Sequence, residues 1–439
     1  MAERRGLGAQ LKEQLIQKAL ASRLDAAQKS SPAAASDGKI PAAHWRFDQQ
    51  AGYRQVQLMR EGAARLQAES PFFHMHEGRA GAHTVIDGRE LLNFASYNYL
   101  GLSGHPEVNA AAIAAIEQYG SSVSASRIVA GERPIHADLE RSLANLYGVD
   151  DALVLVSGHA TNVSVIGHLL GARDLVLHDA YAHNSIVLGA TLSGAQRLSF
   201  PHNDIAALEK LLAQQRHRAE RVLIVVEGLY SMDGDYPDLP ALLALKERYQ
   251  CWLMVDEAHS LGVLGAHGLG IAEHFGIDPR RVDIWMGTLS KTLAACGGYV
   301  AGEQALIDNL RHLAPGFLYS VGLSPPLAAA ALTALQILLR EPERVQQLQE
   351  NGQHFLRQAK AAGLDTGSSA GLAITPVIVG SSLRAVRLSA DLLRAGVHVQ
   401  PILYPAVPEQ QARLRFFLSS EHRGEELQQA IDTLVSVRQ

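Results

Sequence analysis

The segment WLMVDEAHS sets Asp256 and Glu257 at the carboxyl end of a short apolar run, where open α/β sheets hold their ligands. An acidic pair in this position serves two kinds of chemistry. In DEAH-type helicases it holds Mg²⁺ and water against a nucleotide, but that chemistry needs a G-x-x-x-x-G-K-[ST] phosphate loop, and the sequence contains none. In the other, a carboxylate keeps a pyridine nitrogen protonated so that pyridoxal 5'-phosphate can act as an electron sink. That use also needs a lysine able to form a Schiff base, after a later strand and among small or hydroxyl residues. The run DIWMGTLSKTLAACGGYVAG supplies one: Lys291, with Thr288 and Ser290 beside it and Gly297–Gly298 after it. No other charge stands between Asp283 and Glu303, which sets Lys291 apart from an ordinary surface lysine.

The elements that must position these groups are legible from patterning. LVLV at 153–156, VLIVV at 222–226 and WLMV at 252–255 are continuous apolar runs, the mark of strands buried on both faces of a largely parallel sheet covered by helices. Helical spacing runs from Glu107 to Tyr119 before Gly120, and from Ala137 to Tyr147 before Gly148. After Pro325–Pro326 come helical patterns over Leu327 to Leu339 and Val345 to Ala361. Strand candidates follow at Ile374 to Val379 and Val397 to Gln400, with a last helix from Glu425. The expected organisation is an N-terminal helix and linker (1–40), an N-terminal segment (41–95), a central α/β domain (96–325) and a smaller C-terminal α+β domain (326–439). Within the first part, Leu11, Leu15, Ile16, Leu20 and Leu24 predict an amphipathic helix over 8–29 before the Ala/Ser-rich linker SSPAAASDGKIP.

Composition narrows the function classes. The 439 residues are 47% hydrophobic and 19% charged, the usage of a packed globular protein. A formal charge of −5 lacks the basic field that nucleic acid binding needs. Cys251 and Cys296 form no C-x-x-C pair, so neither a disulfide framework nor a zinc knuckle is expected. The start MAERRGLGAQLKEQL has no signal-peptide core, and no stretch approaches the ~20 apolar residues of a membrane span, so a cytoplasmic location is expected. Two lookalikes are set aside. GVLGAHGLG (262–270) imitates a dinucleotide loop but follows an acidic turn instead of joining strand to helix. His178, Asp179 and His183 fit no metal-ligand spacing.

Eight motifs occur in an order that resembles the α-oxoamine synthase family of fold type I pyridoxal-phosphate enzymes: ASYNYLGLSGHP, SGHATN, HDAYAHNS, EGLYSMDGD, VDEAHS, GTLSKT, LYSVGLSPP and RLRFFLSSEH. The similarity spans roughly residues 70 to 435. It implies that Lys291 carries the cofactor and later moves the Cα proton, that Asp256 pairs with the pyridinium nitrogen, and that His259 hydrogen-bonds the ring's phenolic oxygen. It also implies His183 over the ring face, Gly158 and His159 lending N–H groups to the phosphate, Ser231 and Thr288 as side-chain donors, and Ser320 reaching the partner's phosphate in a homodimer with shared sites. Asn98 would contact substrate, and Arg415 would grip the amino-acid carboxylate through a planar, permanently charged fork. Arg413 points the same way by the period of two but is the lesser candidate.

The sequence departs from many relatives at His159, Val321 and Gln400, and VHVQPILYPAV resembles the branch associated with polyketide and lipid assembly lines. The implied reaction is decarboxylating condensation of an α-amino acid with an acyl thioester, giving an α-aminoketone. An acyl carrier protein is favoured over coenzyme A as donor, and basic clusters at Arg54/Arg60/Arg65 and Arg216/Arg218/Arg221 are candidates for meeting it. An aminotransferase would share Lys291 and Asp256 but release no CO₂. A non-catalytic binding module would have no need of a Schiff-base lysine.

Overall fold

The computed structural model describes residues 40–65 and 70–438. The helix expected over 8–29 and the linker up to residue 39 lie outside them.

A hairpin of β1 (His83–Ile86) and β2 (Arg89–Asn93) precedes the central sheet. That sheet contains β3 (Asp151–Leu155), β4 (Leu175–Asp179), β5 (Gln196–Phe200), β6 (Val222–Glu227), β7 (Trp252–Asp256), β8 (Ile284–Thr288) and β9 (Gly298–Gly302), in the order β3-β9-β8-β7-β6-β4-β5. Only β9 runs against its neighbours. The apolar runs are continuous because successive side chains alternate between two hydrophobic layers. Val222, Ile224 and Val226 enter one layer while Leu223 and Val225 enter the other, and Leu253 and Val255 are likewise separated from Met254. Parallel strands with both faces covered align their carboxyl ends at one edge, and the polar residues that finish them gather there: Asp179, Glu227, Asp256 and Thr288.

The C-terminal part contributes β10 (Ile374–Ile378), β11 (Val397–His398), β12 (Gln400–Ile402) and β13 (Arg413–Phe417). β13 lies between β10 and β12, antiparallel to both. The single strand expected at Val397 to Gln400 is two. The chain changes sheets at Val399, whose carbonyl accepts from Ser389 Oγ at 2.7 Å. β11 then pairs parallel with β2, tying the N-terminal hairpin to the C-terminal part.

An ionic cluster braces the edge of the central sheet against the C-terminal part. His202 bonds Asp179 at 2.9 Å and Asp235 at 3.0 Å, and stacks on Tyr181 at 4.3 Å. Ser368 donates to Asp235 at 2.9 Å from the C-terminal side. Burial alone would lower the imidazole pKa, but the two carboxylates prevail and hold it up at about 10. The stabilisation from charged His202 is therefore complete below its unfolded value of ~6.5 and is lost as pH rises through about 10. His202→Gln should lower the melting temperature by several degrees at pH 7, with the gap from the unaltered protein closing above pH 10. A gap unchanged across that range would contradict this account.

Candidate active site

Asp256 is 3% exposed, and its carboxylate is oriented from two sides. Oδ2 accepts from Asn162 Nδ2 at 2.8 Å, and Oδ1 accepts from the Ala258 N–H at 3.0 Å. Asn162 sits one turn into the helix Gly158–Leu169, whose start is capped by Ser157 Oγ accepting from the Ala160 N–H at 3.4 Å. Glu227 is the register neighbour of Asp256 and is equally buried. Its Oε2 accepts from the Ser231 N–H at 3.4 Å, and its Oε1 has no partner. Burial, reinforced by the Asp256 carboxylate, raises the Glu227 pKa well above the usual carboxylate range.

Lys291 is half-buried on a turn after β8, closed by the Ala294 N–H donating to the Lys291 carbonyl at 3.0 Å. The next residue anchors the turn: Thr292 Oγ1 donates to the Leu261 carbonyl at 2.7 Å. This gives the glycine-rich lookalike a structural purpose. A Cβ on Gly262, whose φ is +79°, would stand 2.2 Å from Thr292 Cγ2, so only glycine lets the loop close on the lysine turn. Burial lowers the Lys291 pKa to about 8, against the upward pull of Asp256 and Glu227 and with a further lowering by Arg415. An amine in that range has an appreciable neutral, nucleophilic fraction near neutral pH.

His259 Nδ1 is 2.7 Å from the hydroxyl of fully buried Tyr99. Burial, with Lys291, Arg415 and His183 adding to it, holds the His259 ring well below its ordinary pKa and therefore neutral. His183 caps the helix Asn184–Ser193 and bonds Ser185 Oγ at 2.7 Å through Nδ1; its ring stands edge-on to His159 at 6.2 Å. Burial lowers its pKa too, while Asp256 opposes.

Arg415 on β13 is 9% exposed and forms no ion pair among the described residues. One arm donates to the Ser231 carbonyl at 3.0 Å, the guanidinium lies 4.5 Å from the Phe417 ring centre, and Nε is left without an acceptor. Burial works against this charge, and an unfilled guanidinium donor is chemically suited to a carboxylate. Arg413 is accounted for within the fold by an ion pair to Asp233 at 2.7 Å and a bond to the Met232 carbonyl at 3.0 Å.

Lys291, Asp256, His259, His183 and Arg415 are thus brought into one electrostatic neighbourhood. Thr288 and Gly158 meet each other, since a Cβ on Gly158 would stand 2.8 Å from Thr288 Oγ1. Ser231 uses its backbone for Glu227 and Arg415. Asn98 braces its loop: its amide donates to the Ala80 carbonyl at 2.6 Å and accepts from the Ser103 N–H at 3.0 Å. Ser320 stands apart, lining a small cavity with Arg127, Leu155 and Val156. Sequence reasoning missed Glu227, Asn162 and Tyr99. For Glu227 a signal existed, since VLIVVE ends in an acid after an apolar run just as WLMVD does.

The arrangement fits pyridoxal phosphate. The helix beginning at Gly158 presents first-turn N–H groups that have no intrahelical acceptor, suited to a phosphate. Bare backbone lies beneath them, where a Cβ on Gly298 would meet Thr161 Oγ1 at 2.5 Å. Among the described residues no helix is long and apolar enough to cross a membrane.

Comparison with known proteins agrees. The family model for aminotransferase class I and II matches residues 89–434. An 8-amino-7-oxononanoate synthase of Symbiobacterium thermophilum is 42% identical over 354 residues, covering 81% of this chain and 90% of the relative. One from Thermosipho melanesiensis is 41% identical, covering 82% and 92%. Among solved structures, serine palmitoyltransferase of Sphingomonas wittichii superposes with a TM-score of 0.84 at 29% identity, over 88% of this chain and 97% of that one. A serine palmitoyltransferase solved with its pyridoxal phosphate in place gives the same TM-score at 28% identity and the same coverage. With Lys291, Asp256 and a carboxylate-ready Arg415 in one site, the chain belongs to the α-oxoamine synthases of the aminotransferase class I and II family, pyridoxal-phosphate enzymes that join an amino acid to an acyl thioester with loss of CO₂.

Proposed function

We propose that the chain acts as a homodimer that takes its acyl group from a carrier-protein thioester, with the residues above dividing the work. The cofactor supplies an electron sink for negative charge at the amino acid's Cα. Lys291 holds the cofactor covalently and afterwards takes and returns the Cα proton. Asp256, oriented by Asn162, keeps a proton on the ring nitrogen, and His259 donates to the ring oxygen. His183 covers the ring face and turns the substrate carboxylate toward Arg415. Gly158 and His159 bind the phosphate through backbone N–H groups, Thr288 and Ser231 through hydroxyls, and Ser320 reaches the partner's phosphate. The observation that carries the reading is the buried, unpaired Arg415 in the field of Lys291, a carboxylate receptor beside an amine.

A homodimer is supported by apolar side chains exposed around Ser320: its neighbours Tyr319 and Val321 at 87% and 49%, and Ile128 and Val129 at 57% and 80% on the turn of π-helix Arg127–Gly131, whose Arg127 shares a cavity with Ser320. For the carrier-protein donor, the basic surface is smaller than the sequence suggests. Arg216 bonds the Tyr249 and Ala219 carbonyls at 2.8 and 2.9 Å, and Arg221 pairs with Asp174 at 2.8 Å. Of these clusters, Arg54, Arg60 and Arg218 are the exposed guanidiniums left for steering among the described residues, and the Arg65 side chain lies outside them.

Purified protein given a matrix of amino acids and thioesters should yield aminoketone, CO₂ and thiol in equal amounts. Formation of an oxo acid without CO₂ would identify an aminotransferase instead. One acyl group should be used with kcat/KM about tenfold higher on carrier protein than on coenzyme A; a preference for coenzyme A would reject the carrier-protein donor. Asp256→Asn should keep cofactor bound but slow Cα hydrogen exchange of the amino acid by at least about a hundredfold, and an unchanged exchange rate would remove Asp256 from its assigned role. The two arginines should separate. Arg415→Lys should raise KM for the amino acid more than tenfold with little change in melting temperature, because it removes a fork but keeps a charge. Arg413→Ala should cost about 3–5 kcal/mol of stability by stranding Asp233. Interchanged effects would mean that the wrong arginine was assigned to substrate.

A further inference from the structure

The hydroxyl of Tyr99 and Nδ1 of His259 are 2.7 Å apart in the interior, joined across 160 positions of sequence. Either atom can be the donor in such a pair, and the surroundings decide which. Tyr99 is 0% exposed, and its hydroxyl has no other hydrogen-bond partner among the described residues. Its proton therefore has one acceptor, Nδ1. Burial raises the Tyr99 pKa well above the ordinary phenol value, which keeps that proton in place. A neutral imidazole that accepts at Nδ1 carries its own hydrogen on Nε2.

Tyr99 is held firmly enough to impose this choice. Asn98 clamps the loop to Ala80 and Ser103, the Asn98 carbonyl accepts from Ser419 Oγ at 3.0 Å, and the Tyr99 carbonyl accepts from the Ser420 N–H at 2.8 Å. Tyr97 also approaches His259, edge-on at 6.2 Å, but forms no hydrogen bond with it.

We propose that Tyr99 is a positioning residue that fixes His259 as the Nε2–H tautomer, so that the ring presents a donor, and never a lone pair, to the phenolic oxygen of the cofactor. The proposal rests on the reading of His259 as that oxygen's partner. Its structural half is independent of the cofactor and can be tested without it.

Nitrogen-15 spectra of histidine-labelled, cofactor-free protein, with the His259 signal identified by its loss in His259→Asn, should show Nε2–H for the unaltered chain. Tyr99→Phe should give a mixture of tautomers, while Tyr97→Phe should leave the signal unchanged. In the cofactor-loaded protein, the pH midpoint of the visible absorption band should move by about one unit in Tyr99→Phe and stay in place in Tyr97→Phe. An Nδ1–H tautomer in the unaltered protein, or an unchanged tautomer in Tyr99→Phe, would overturn the proposal. That first spectrum needs no variant of Tyr99, so a failure of Tyr99→Phe to fold leaves the test intact. A changed tautomer with an unmoved absorption midpoint would instead overturn the reading of His259 as the ring oxygen's partner.

Discussion

An amine set among carboxylates at the dry edge of a sheet is the constraint on which the rest of this molecule depends. In its proposed role Lys291 would have to be neutral often enough to attack a carbonyl carbon, yet it stands in the field of Asp256 and Glu227, both of which favour its charge. Burial and the guanidinium of Arg415 tilt the balance back, leaving an amine near pH 8 beside a glutamate whose own proton is held tightly. Asp256 differs from it in its partners: Asn162 and the Ala258 N–H both donate to its carboxylate, whereas Glu227 keeps one oxygen without a partner. Two acids, register neighbours on adjacent strands, are thus held in different surroundings.

The scaffold serves this arrangement by converging on one edge. Parallel strands deliver Glu227 and Asp256 side by side, with Thr288 two residues beyond Met286, the register partner of Asp256, and the helix starting at Gly158 carries Asn162 back to Asp256. The C-terminal part closes the site with Arg415, whose arm is held by the Ser231 carbonyl from the loop that follows β6. The loop 228–236 therefore connects Arg415 to the end of β6. The same loop is pinned by Arg413 on Asp233 and by His202 on Asp235. On the proposed function that rigidity would matter, because a fork misplaced by an ångström loses its carboxylate.

What the sequence disclosed was local. Apolar runs named the buried strands, glycines closed the helices, and an isolated lysine after a strand named the candidate nucleophile. Period two grouped Arg413 with Arg415, but that Asp233 pairs with the first and only a carbonyl with the second is a fact of tertiary contact. Tyr99 and Asn98 sat inside a quoted motif, yet their partners, His259 and Ala80, are remote along the chain. The sheet change at Val399 was hidden for a similar reason, since it turns on a hydroxyl from a neighbouring helix. That Arg216 and Arg221 of the basic clusters are tied to carbonyls and a carboxylate is likewise invisible to charge counted along a sequence.

The central claim is that one amine, made nucleophilic by its surroundings, carries the cofactor. Borohydride reduction of the protein loaded with pyridoxal phosphate, followed by peptide mapping, measures this directly by fixing the cofactor wherever it was bound. The account predicts the label on Lys291 alone, at one per chain; label on any other lysine, or none at all, would contradict it.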